Sequence, residues 1–335
     1  MQQFDSISII IPTYNQDSYL RDAIESAQAL DYPNLEIVVA DDASTDETEK
    51  VANRYASDAR VKYHRNHKNL GRVANYRFAL STYASGRWVL NLDGDDFLTD
   101  RSFLKDSMEV LAQYQNVVLV AAGETDLKPD GSRIQHVLTD KPTEFVSGEE
   151  FFLKWLSKSG GLCHLGSLYN RNVALQIGFY VHNILSSDWE SLRRLVLMGN
   201  VLLLGRSVGV WRGHGANATL KYDVNERLEN LLSLTGPYEF AKRRNVDSRR
   251  LEKWRKNSLR DYLVSEFNYF AAGGFGGKAI SFVKGSLNMY PELTAPFFSD
   301  MARKPASAIS VVLSIILGQQ AYIRLKRIKD KVLKK

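Results

Sequence analysis

Three carboxylates crowd around a glycine in the first third of the chain. Asp93, Asp95 and Asp96 follow the short run 88–92, which has the character of a buried strand. Crowded carboxylates repel one another unless a cation neutralises them. Oxygen ligands with no cysteine nearby suit magnesium or manganese better than zinc. The cluster therefore predicts a divalent-metal site, with an acidic turn in water as the alternative for the triplet taken alone.

The elements that position this cluster follow from an alternation of strand and helix patterns. Short apolar or β-branched runs, each typical of a strand, occur at residues 7–11, 35–40, 61–64, 88–92 and 117–121. Helical patterns lie between them, at 73–84 and 102–114. Such a series predicts an α/β fold with a mainly parallel sheet flanked by helices. Ligands of open sheets bind at the carboxyl ends of the strands, where the acids lie.

Two segments have the spacing of a helix capping box. Ser44 precedes Glu47 and Ser147 precedes Glu150, each by three residues, so a helix is predicted to start at both places. The first start would lie just after the pair Asp41-Asp42. A further helix, headed by Asp188, is predicted within residues 185–200.

The second half of the chain divides by its patterns. Strands are predicted near 201–204 and 208–211, and strand signals nearly vanish from about residue 223 onward. Long amphipathic stretches replace them. We therefore predict an α/β domain at residues 1–221 and a helical C-terminal region at 222–335.

Composition limits the class of protein. A chain of 335 residues with 44% hydrophobic and 24% charged residues is ordinary for a soluble globular protein. The single cysteine, Cys163, excludes an internal disulfide and a cysteine-rich metal site, and it fits a reducing compartment. The chain reaches a strand-like run by Ile7 with no signal-peptide pattern before it, so a cytoplasmic location is expected.

The formal net charge of +6 is a property of the C-terminal tail. Residues 324–335 carry seven Lys and Arg and one Asp, so the rest of the chain is balanced and nucleic-acid binding is not expected. An apolar stretch at 306–317 precedes the tail and is too short to span a bilayer. A helix lying on the inner face of the cell membrane and a helix packed on the core remain two open interpretations.

Four segments in the first hundred residues, in this order, resemble the family 2 glycosyltransferases of the GT-A fold, which is Rossmann-like. They are Ile9-Ile10-Ile11-Pro12-Thr13-Tyr14-Asn15, Val39-Ala40-Asp41-Asp42-Ala43-Ser44-Thr45-Asp46, Asn69-Leu70-Gly71-Arg72 and Leu92-Asp93-Gly94-Asp95-Asp96. Four ordered matches are far stronger than one. The resemblance implies that residues 1–221 form a GT-A catalytic domain with Mn²⁺ or Mg²⁺ as cofactor.

The resemblance also implies roles in binding a nucleotide-sugar donor. Residues matching Asp42 contact the base edge, and those matching Pro12, Thr13 and Tyr14 line the base pocket. A residue matching Asp93 is expected at the ribose.

The remaining donor-side residues are expected at the phosphates and the metal. Asp95 is expected to bind the cation, and Asp96 either binds it directly or holds the loop through backbone hydrogen bonds. Arg72 either reaches the diphosphate or makes a surface pair. The segment Arg212-Gly213-His214-Gly215-Ala216-Asn217 resembles the family's R-x-H-x-x-N element, which makes His214 a candidate nitrogen ligand.

The candidate catalytic base lies in the second half of the domain. Ser187-Asp188-Trp189-Glu190-Ser191-Leu192 resembles the family's E-D-W-x-L segment, in which the aspartate is the base. A sugar hydroxyl is a weak nucleophile, and a carboxylate that takes its proton lowers the barrier to attack. Ser187 stands where the family has a glutamate, so the acceptor contact of that glutamate is not carried over. A helix N-cap is the alternative role for Asp188.

These expectations describe an inverting, metal-dependent glycosyltransferase of the non-processive bacterial type. It would be a hexosyl- or N-acetylhexosaminyltransferase that takes a sugar from a nucleotide-diphosphate donor, with UDP favoured. The acceptor would be a glycan or a lipid-linked molecule in surface polysaccharide or glycoconjugate assembly. The Q-x-x-R-W element of processive members is absent from the sequence. The alternative is a non-catalytic subunit that binds sugar nucleotide or glycan. A nucleotidyltransferase is disfavoured because no Gly-rich triphosphate loop occurs near the N-terminus.

Overall fold

The computed structural model describes residues 5–155, 162–215, 217, 223–272, 276–292 and 294. The apolar stretch 306–317, the basic tail and the predicted domain boundary at residue 221 lie outside the described residues. The expectations for these segments therefore stay predictions.

Ten strands form one sheet within the described residues. They are β1 (Ile7–Thr13), β2 (Leu35–Asp41), β3 (Val61–Arg65), β4 (Trp88–Asn91), β5 (Phe97–Leu98), β6 (Val117–Leu127), β7 (Arg133–Gln135), β8 (Thr143–Ser147), β9 (Ser167–Asn170) and β10 (Asn200–Arg212). The two strands expected near 201–204 and 208–211 are a single strand, β10. Its register against β6 shifts between Leu204 and Ser207, where the local pattern breaks.

The helices alternate with the strands in the first half and follow one another from residue 223. They are α1 (Leu20–Gln28), α2 (Thr48–Asn53), α3 (Arg72–Phe78), α4 (Phe103–Leu111), α5 (Gly148–Glu150), α6 (Arg171–Gln176), α7 (Ser187–Val196), α8 (Val224–Glu229), α9 (Leu232–Arg243), α10 (Ser248–Ala272) and α11 (Gly276–Met289). A π-helical turn continues α3 and another continues α5. Among the described helices, none combines the length and apolarity needed to cross a bilayer.

The sheet runs in the order β3-β2-β1-β4-β9-β6-β10-β5. Strands β1 to β4 pair in parallel, and so do β6 and β10. Strand β9 is antiparallel to both β4 and β6, so it joins the two parallel sets. The expected α/β class is confirmed, with antiparallel strands β5, β7, β8 and β9 completing a mixed sheet.

Both faces of the sheet are covered, which explains why its central strands read as nearly continuous apolar runs. Successive side chains of β1 point to opposite faces. Ile9 and Ile11 pack with α1, α2 and α4, whereas Ile10 packs with α3, α7 and α9. A third apolar cluster joins α8, α10 and α11. Helix α9 packs on α7, and Trp254 of α10 packs on Phe152 in the π-helical turn after α5, so these two contacts join the helices after residue 223 to the α/β part of the chain.

One of the two predicted helix starts is wrong. Helix α2 begins at Thr48, and Ser44 instead donates its hydroxyl hydrogen to Asp41 and accepts the backbone N–H of Asn15. These contacts occupy the Ser44 hydroxyl, so it does not cap a helix, and the N–H of Thr48 is instead accepted by the Asp46 side chain (3.0 Å). The second start is confirmed, because the Ser147 side chain accepts the N–H of Glu150 at the start of α5.

Candidate active site

The carboxyl ends of β1, β2 and β4 meet at one edge of the sheet. The N–H of Gly94 donates to the carbonyl of Pro12 (3.2 Å), and the N–H of Asp42 donates to the carbonyl of Thr13 (2.9 Å). A Cβ on Gly94 would lie 2.5 Å from the Gln16 side-chain oxygen, so glycine lets the acidic turn approach β1 this closely. The segments expected to bind a nucleotide are thus held together by backbone hydrogen bonds.

The three residues expected in the base pocket differ in exposure. Pro12 and Thr13 are buried in the end of β1, whereas the Tyr14 side chain is 47% exposed. An exposed aromatic ring offers a flat face for a base. Tyr14 is therefore the member of this set with a side chain open to a ligand.

The Asp42 carboxylate organises the turn that leads into α3. Its Oδ1 accepts hydrogen bonds from the Asn66 side chain (2.9 Å) and the N–H of Leu70 (2.8 Å), and its Oδ2 accepts the N–H of Gly71 (2.9 Å). Gly71 has φ +87°, a conformation that favours glycine. A carboxylate has about four acceptor sites, so Oδ2 keeps capacity for a donor on a base edge. The base contact stays a prediction.

Asp93 lies under the turn, against α3. The Tyr76 hydroxyl donates to its Oδ1 at 2.7 Å. Burial, and secondarily the Asp95 charge, raises the pKa of Asp93 above its ordinary value, although His164 opposes the shift. The Tyr76 hydroxyl thus fixes one oxygen of this carboxylate, and the ribose contact through the other stays a prediction.

Asp95 and His214 are in contact although 119 residues separate them in the chain. The His214 Nε2 lies 2.9 Å from Asp95 Oδ2, and both side chains are largely buried. The His214 ring stacks on Tyr19, with centroids 4.9 Å apart. Asn217 closes the loop, because its side chain accepts the His214 N–H and donates to the Arg212 carbonyl.

This pair fits a divalent cation that also binds a diphosphate. A carboxylate oxygen and an imidazole nitrogen suit manganese, and such ions commonly keep water and substrate phosphate as further ligands. No set of three His, Cys, Asp or Glu residues that could hold a metal occurs in the part of the chain that the structure describes. A site here would thus need oxygens from the donor.

Asp96 is held by backbone contacts. It is 3% exposed, its Oδ1 accepts the N–H of Arg212 (2.8 Å), and its own N–H donates to the Asp93 carbonyl (2.9 Å). Burial, with the charges of Asp95 and Asp93, raises its pKa well above the ordinary value. Of the two roles left open by the sequence, these contacts favour holding the loop, and metal binding by Asp96 stays a prediction.

Arg72 connects α3 to the segment that enters α7. One guanidinium nitrogen donates to the carbonyls of Ile184 (3.2 Å) and Leu185 (2.7 Å), and the group lies 5.6 Å from the Tyr76 ring centroid. Arg72 also lines the cavity that holds the candidate base. A contact with a diphosphate stays a prediction.

Asp188 lies in the first turn of α7 and lines a cavity of about 500 Å³ with Asp93, Asp96 and Arg72. The N-cap of this helix is Ser186, so the N-cap role considered for Asp188 is not observed. No described residue donates a hydrogen bond to the Asp188 carboxylate. Ser187 is fully buried, and its hydroxyl has no partner among the described residues. The carboxylate is thus open to a ligand in the cavity.

Four cavity residues were not singled out from the sequence. They are Glu124 and Asp126 at the end of β6, His136 after β7, and His164 before β9. The sequence pattern could have identified the two acids, because they follow the buried run 117–122 and are two residues apart, which places them on the same face of a strand. No sequence pattern identifies the two histidines, since each is isolated in the sequence.

A larger groove of about 1360 Å³ lies elsewhere on the surface. It is lined by Asp5, Trp88 and Asn170, at the edge of the sheet opposite the carboxyl ends of β1 and β4. None of the predicted site residues borders it. The smaller cavity is lined by four of them, Arg72, Asp93, Asp96 and Asp188, and it is therefore the candidate active site.

The chain is similar to known glycosyltransferases in sequence. Residues 8–178 match the model of the family described as glycosyl transferase family 2. The glycosyltransferase GlyA of Streptococcus pneumoniae is 26% identical over 215 residues, which are 62% of this chain and 30% of that protein. The poly(ribitol-phosphate) β-N-acetylglucosaminyltransferase TarS of Staphylococcus aureus is 31% identical over 115 residues, 34% of this chain and 20% of TarS. The chain thus spans less than a third of either relative.

Solved structures share the fold. Residues 1–349 of S. aureus TarS, in complex with UDP-GlcNAc, superpose with a TM-score of 0.57 at 17% identity, over 88% of this chain and 92% of that one. The mannosyltransferase PcManGT of Pyrobaculum calidifontis, in complex with GDP-Man and Mn²⁺, gives a TM-score of 0.52 at 18% identity, over 94% and 88%. The expected GT-A fold is confirmed. Since the family model matches just over half of its residues, the chain belongs to glycosyl transferase family 2.

Proposed function

We propose that this protein is an inverting, metal-dependent glycosyltransferase that takes a hexosyl or N-acetylhexosaminyl group from a nucleotide-diphosphate donor, with UDP favoured. The acceptor is a hydroxyl of a glycan or of a lipid-linked saccharide. The observation that carries the proposal is the unpartnered Asp188 carboxylate in one cavity with Asp93, next to the Asp95–His214 pair within the described residues. The UDP-GlcNAc and GDP-Man complexes of the two structural relatives support the donor class.

The donor-side residues hold the nucleotide. Tyr14 offers its exposed ring to the base, and Asp42 accepts from the base edge. Asp93, fixed by Tyr76, accepts from the ribose. Asp95 and His214 hold the cation, which neutralises charge on the leaving diphosphate when it is bound.

The acceptor-side chemistry falls to Asp188. Its carboxylate takes the proton of the acceptor hydroxyl as the hydroxyl oxygen attacks the anomeric carbon. The new C–O bond forms on the face opposite the breaking bond to the diphosphate, so the anomeric configuration inverts. Asp188 lies in the first turn of α7, where the positive end of the helix dipole stabilises its carboxylate in the ionised form before the transfer.

The first test is binding. Thermal shift with UDP-, GDP- and dTDP-sugars, each with and without Mn²⁺, should show a rise in melting temperature for one nucleotide class that depends on the metal. Transfer from that donor to a panel of saccharide acceptors should give a product of inverted anomeric configuration by NMR. A product with retained configuration would contradict the assignment of Asp188 as base.

The rival is a non-catalytic binding subunit. It draws support from Ser187, which is fully buried where the family has a glutamate. Tight UDP binding with neither transfer nor donor hydrolysis, over a broad acceptor panel, would favour it.

For the enzyme we propose a place in bacterial surface glycoconjugate assembly at the cytoplasmic side of the membrane, with the tail 324–335 as a peripheral contact to anionic lipid.

A further inference from the structure

The cavity beside Asp188 is more acidic than the proposed chemistry requires. Glu124 and Asp126 lie two residues apart on β6, so both side chains face the same side of the sheet, and both line the cavity. Neither belongs to the nucleotide, metal or base positions. The proposed chemistry therefore leaves both acids without a role.

The two acids differ in how their charge is compensated. Asp126 Oδ2 lies 2.8 Å from the Lys128 ammonium and 3.4 Å from His136 Nε2. No described Lys, Arg or His forms an ion pair with Glu124, which interacts with the buried Cys163 thiol. Burial, together with the charges of Asp126, Asp188 and Asp93, raises the pKa of Glu124 to about 7. Glu124 is thus ionised above neutral pH, without a counter-ion among the described residues.

The same cavity offers what an uncharged sugar ring needs. Carboxylates accept hydrogen bonds from hydroxyl groups, and these charge-assisted bonds are strong. Two tryptophans, Trp189 on α7 and Trp211 on β10, also line the cavity and provide apolar ring faces. Of the cations beside the cavity, Lys128 is paired with Asp126, and Arg72 is held against two backbone carbonyls.

We propose that Glu124 and Asp126 make this cavity a sugar subsite that admits a ring without an anionic group and rejects one that carries a carboxylate or a phosphate. The inference rests on the proposed function and narrows its substrate class. An anionic sugar would place a further negative charge among Glu124, Asp126 and Asp188 in a partly desolvated space, where like charges repel strongly. The ring concerned is that of the donor or that of the acceptor.

The donor arm of the test uses pairs of nucleotide sugars that differ only at C6. UDP-glucose is compared with UDP-glucuronate, and UDP-galactose with UDP-galacturonate, by calorimetry at pH 8 with Mn²⁺. The wild-type protein should bind the uncharged member of at least one pair about 10- to 100-fold more tightly. Glu124→Gln and Asp126→Asn should each reduce this ratio several-fold, because each removes one negative charge from the cavity and Asp126→Asn also leaves the Lys128 ammonium without its partner.

The acceptor arm asks the same question of the other substrate. The protein is loaded with UDP and Mn²⁺, and the binding of methyl glucoside is compared with that of methyl glucuronide. A preference that appears only here, and falls in Glu124→Gln, assigns the subsite to the acceptor. Asp130→Asn is the matched control, since Asp130 is an exposed acid on the same β6–β7 hairpin, outside the cavity, and it should leave both ratios unchanged.

Two results separate the inference from the function on which it rests. Equal binding of both members of every pair in both arms, or a preference that both variants leave unchanged, overturns the inference while nucleotide binding stands. Absence of binding by UDP and by every nucleotide sugar overturns the proposed function and the inference with it.

Discussion

The Arg72 guanidinium donates a 2.7 Å hydrogen bond to the carbonyl oxygen of Leu185, 113 residues further along the chain. This contact ties the start of α3, which Asp42 organises, to the segment that enters α7. Asp188 follows three residues later. The Arg72 side chain thus connects the part of the site expected to bind the nucleotide with the part that holds the candidate catalytic base.

Replacement of Arg72 by Ala should therefore act on the base. We expect kcat to fall by about 100-fold, because a displacement of about 1 Å at a catalytic group costs that much. The dissociation constant of the donor should change less than about threefold. Steady-state kinetics and calorimetry measure the two quantities separately.

Arg72→Lys distinguishes positioning from a charge contact with the diphosphate. Lysine keeps the charge, but its ammonium ends a flexible chain and lacks the planar guanidinium that holds the bonds to Ile184 and Leu185, so it should not restore kcat. Restored kcat in Arg72→Lys, or a loss confined to donor affinity in Arg72→Ala, would favour the diphosphate contact.

The pair Asp95–His214 predicts where manganese is held. Asp95→Asn and His214→Ala should each weaken Mn²⁺ binding at least about tenfold, since even residues that only support metal ligands cost this much. The Mn²⁺-dependent part of the thermal shift with donor should fall accordingly. His67→Ala, at an exposed histidine, is the control. Unchanged Mn²⁺ affinity in both variants would place the cation elsewhere.

Asp96→Asn tests whether this buried residue holds the loop. Asparagine can still accept the Arg212 N–H, and it removes a charge whose pKa is raised by burial and by Asp95 and Asp93. Because the pKa of Asp96 is raised in the folded state, its carboxyl destabilises the fold once the pH exceeds the pKa of an unfolded aspartate. The variant should thus be more stable than the wild type at pH 8 in urea denaturation, and this gain should disappear as the pH falls to the pKa of an unfolded aspartate. A clear loss of Mn²⁺ affinity would instead make Asp96 a ligand.

Glu36 predicts a specific loss of stability in acid. Burial alone would raise its pKa, but hydrogen bonds from Lys62, Ser8 and Ser85 lower it from 4.5 to about 2. The stabilisation is therefore complete above pH 4.5 and disappears as the pH falls towards 2. At 1.36 kcal/mol per pKa unit this shift corresponds to about 3.4 kcal/mol, and because Glu36 is only half-buried, solvent screening lowers the expected cost of Glu36→Gln at pH 7 to about 2 kcal/mol.

Urea denaturation at pH 7 and at pH 3 checks this expectation. The difference between wild type and Glu36→Gln should shrink at the lower pH. The exposed Glu109→Gln should be nearly neutral at both. An equal difference at both pH values would mean that Glu36 acts through packing.

Contiguous motifs made the fold class and the acidic turn predictable. Asp93, Asp95 and Asp96 follow one strand directly, so local spacing was enough to place them at a strand's carboxyl end. The predicted helix start at Ser44 is wrong because its hydroxyl contacts Asp41 and the N–H of Asn15, and the contact with Asn15 joins segments 29 residues apart.

Contacts between distant segments were not predictable in the same way. His214 was identified by resemblance, and its approach to Asp95 depends on β10 running beside β5. The acceptors of Arg72 are backbone carbonyls, which leave no mark in the sequence. Glu124 and Asp126 do have a spacing of two after a buried run, but the sequence does not show whether their side chains line a cavity. That depends on how β9 and α7 pack against β6.

The central claim is that Asp188 is the base of an inverting transfer. Asp188→Asn keeps the shape of the side chain and removes its ability to take a proton. The most direct measurement compares the transfer rate and the donor affinity of this variant with those of the wild type. We predict a fall in kcat of about 10²- to 10⁴-fold with donor affinity within about threefold of wild type. Full transfer activity in Asp188→Asn would contradict the claim.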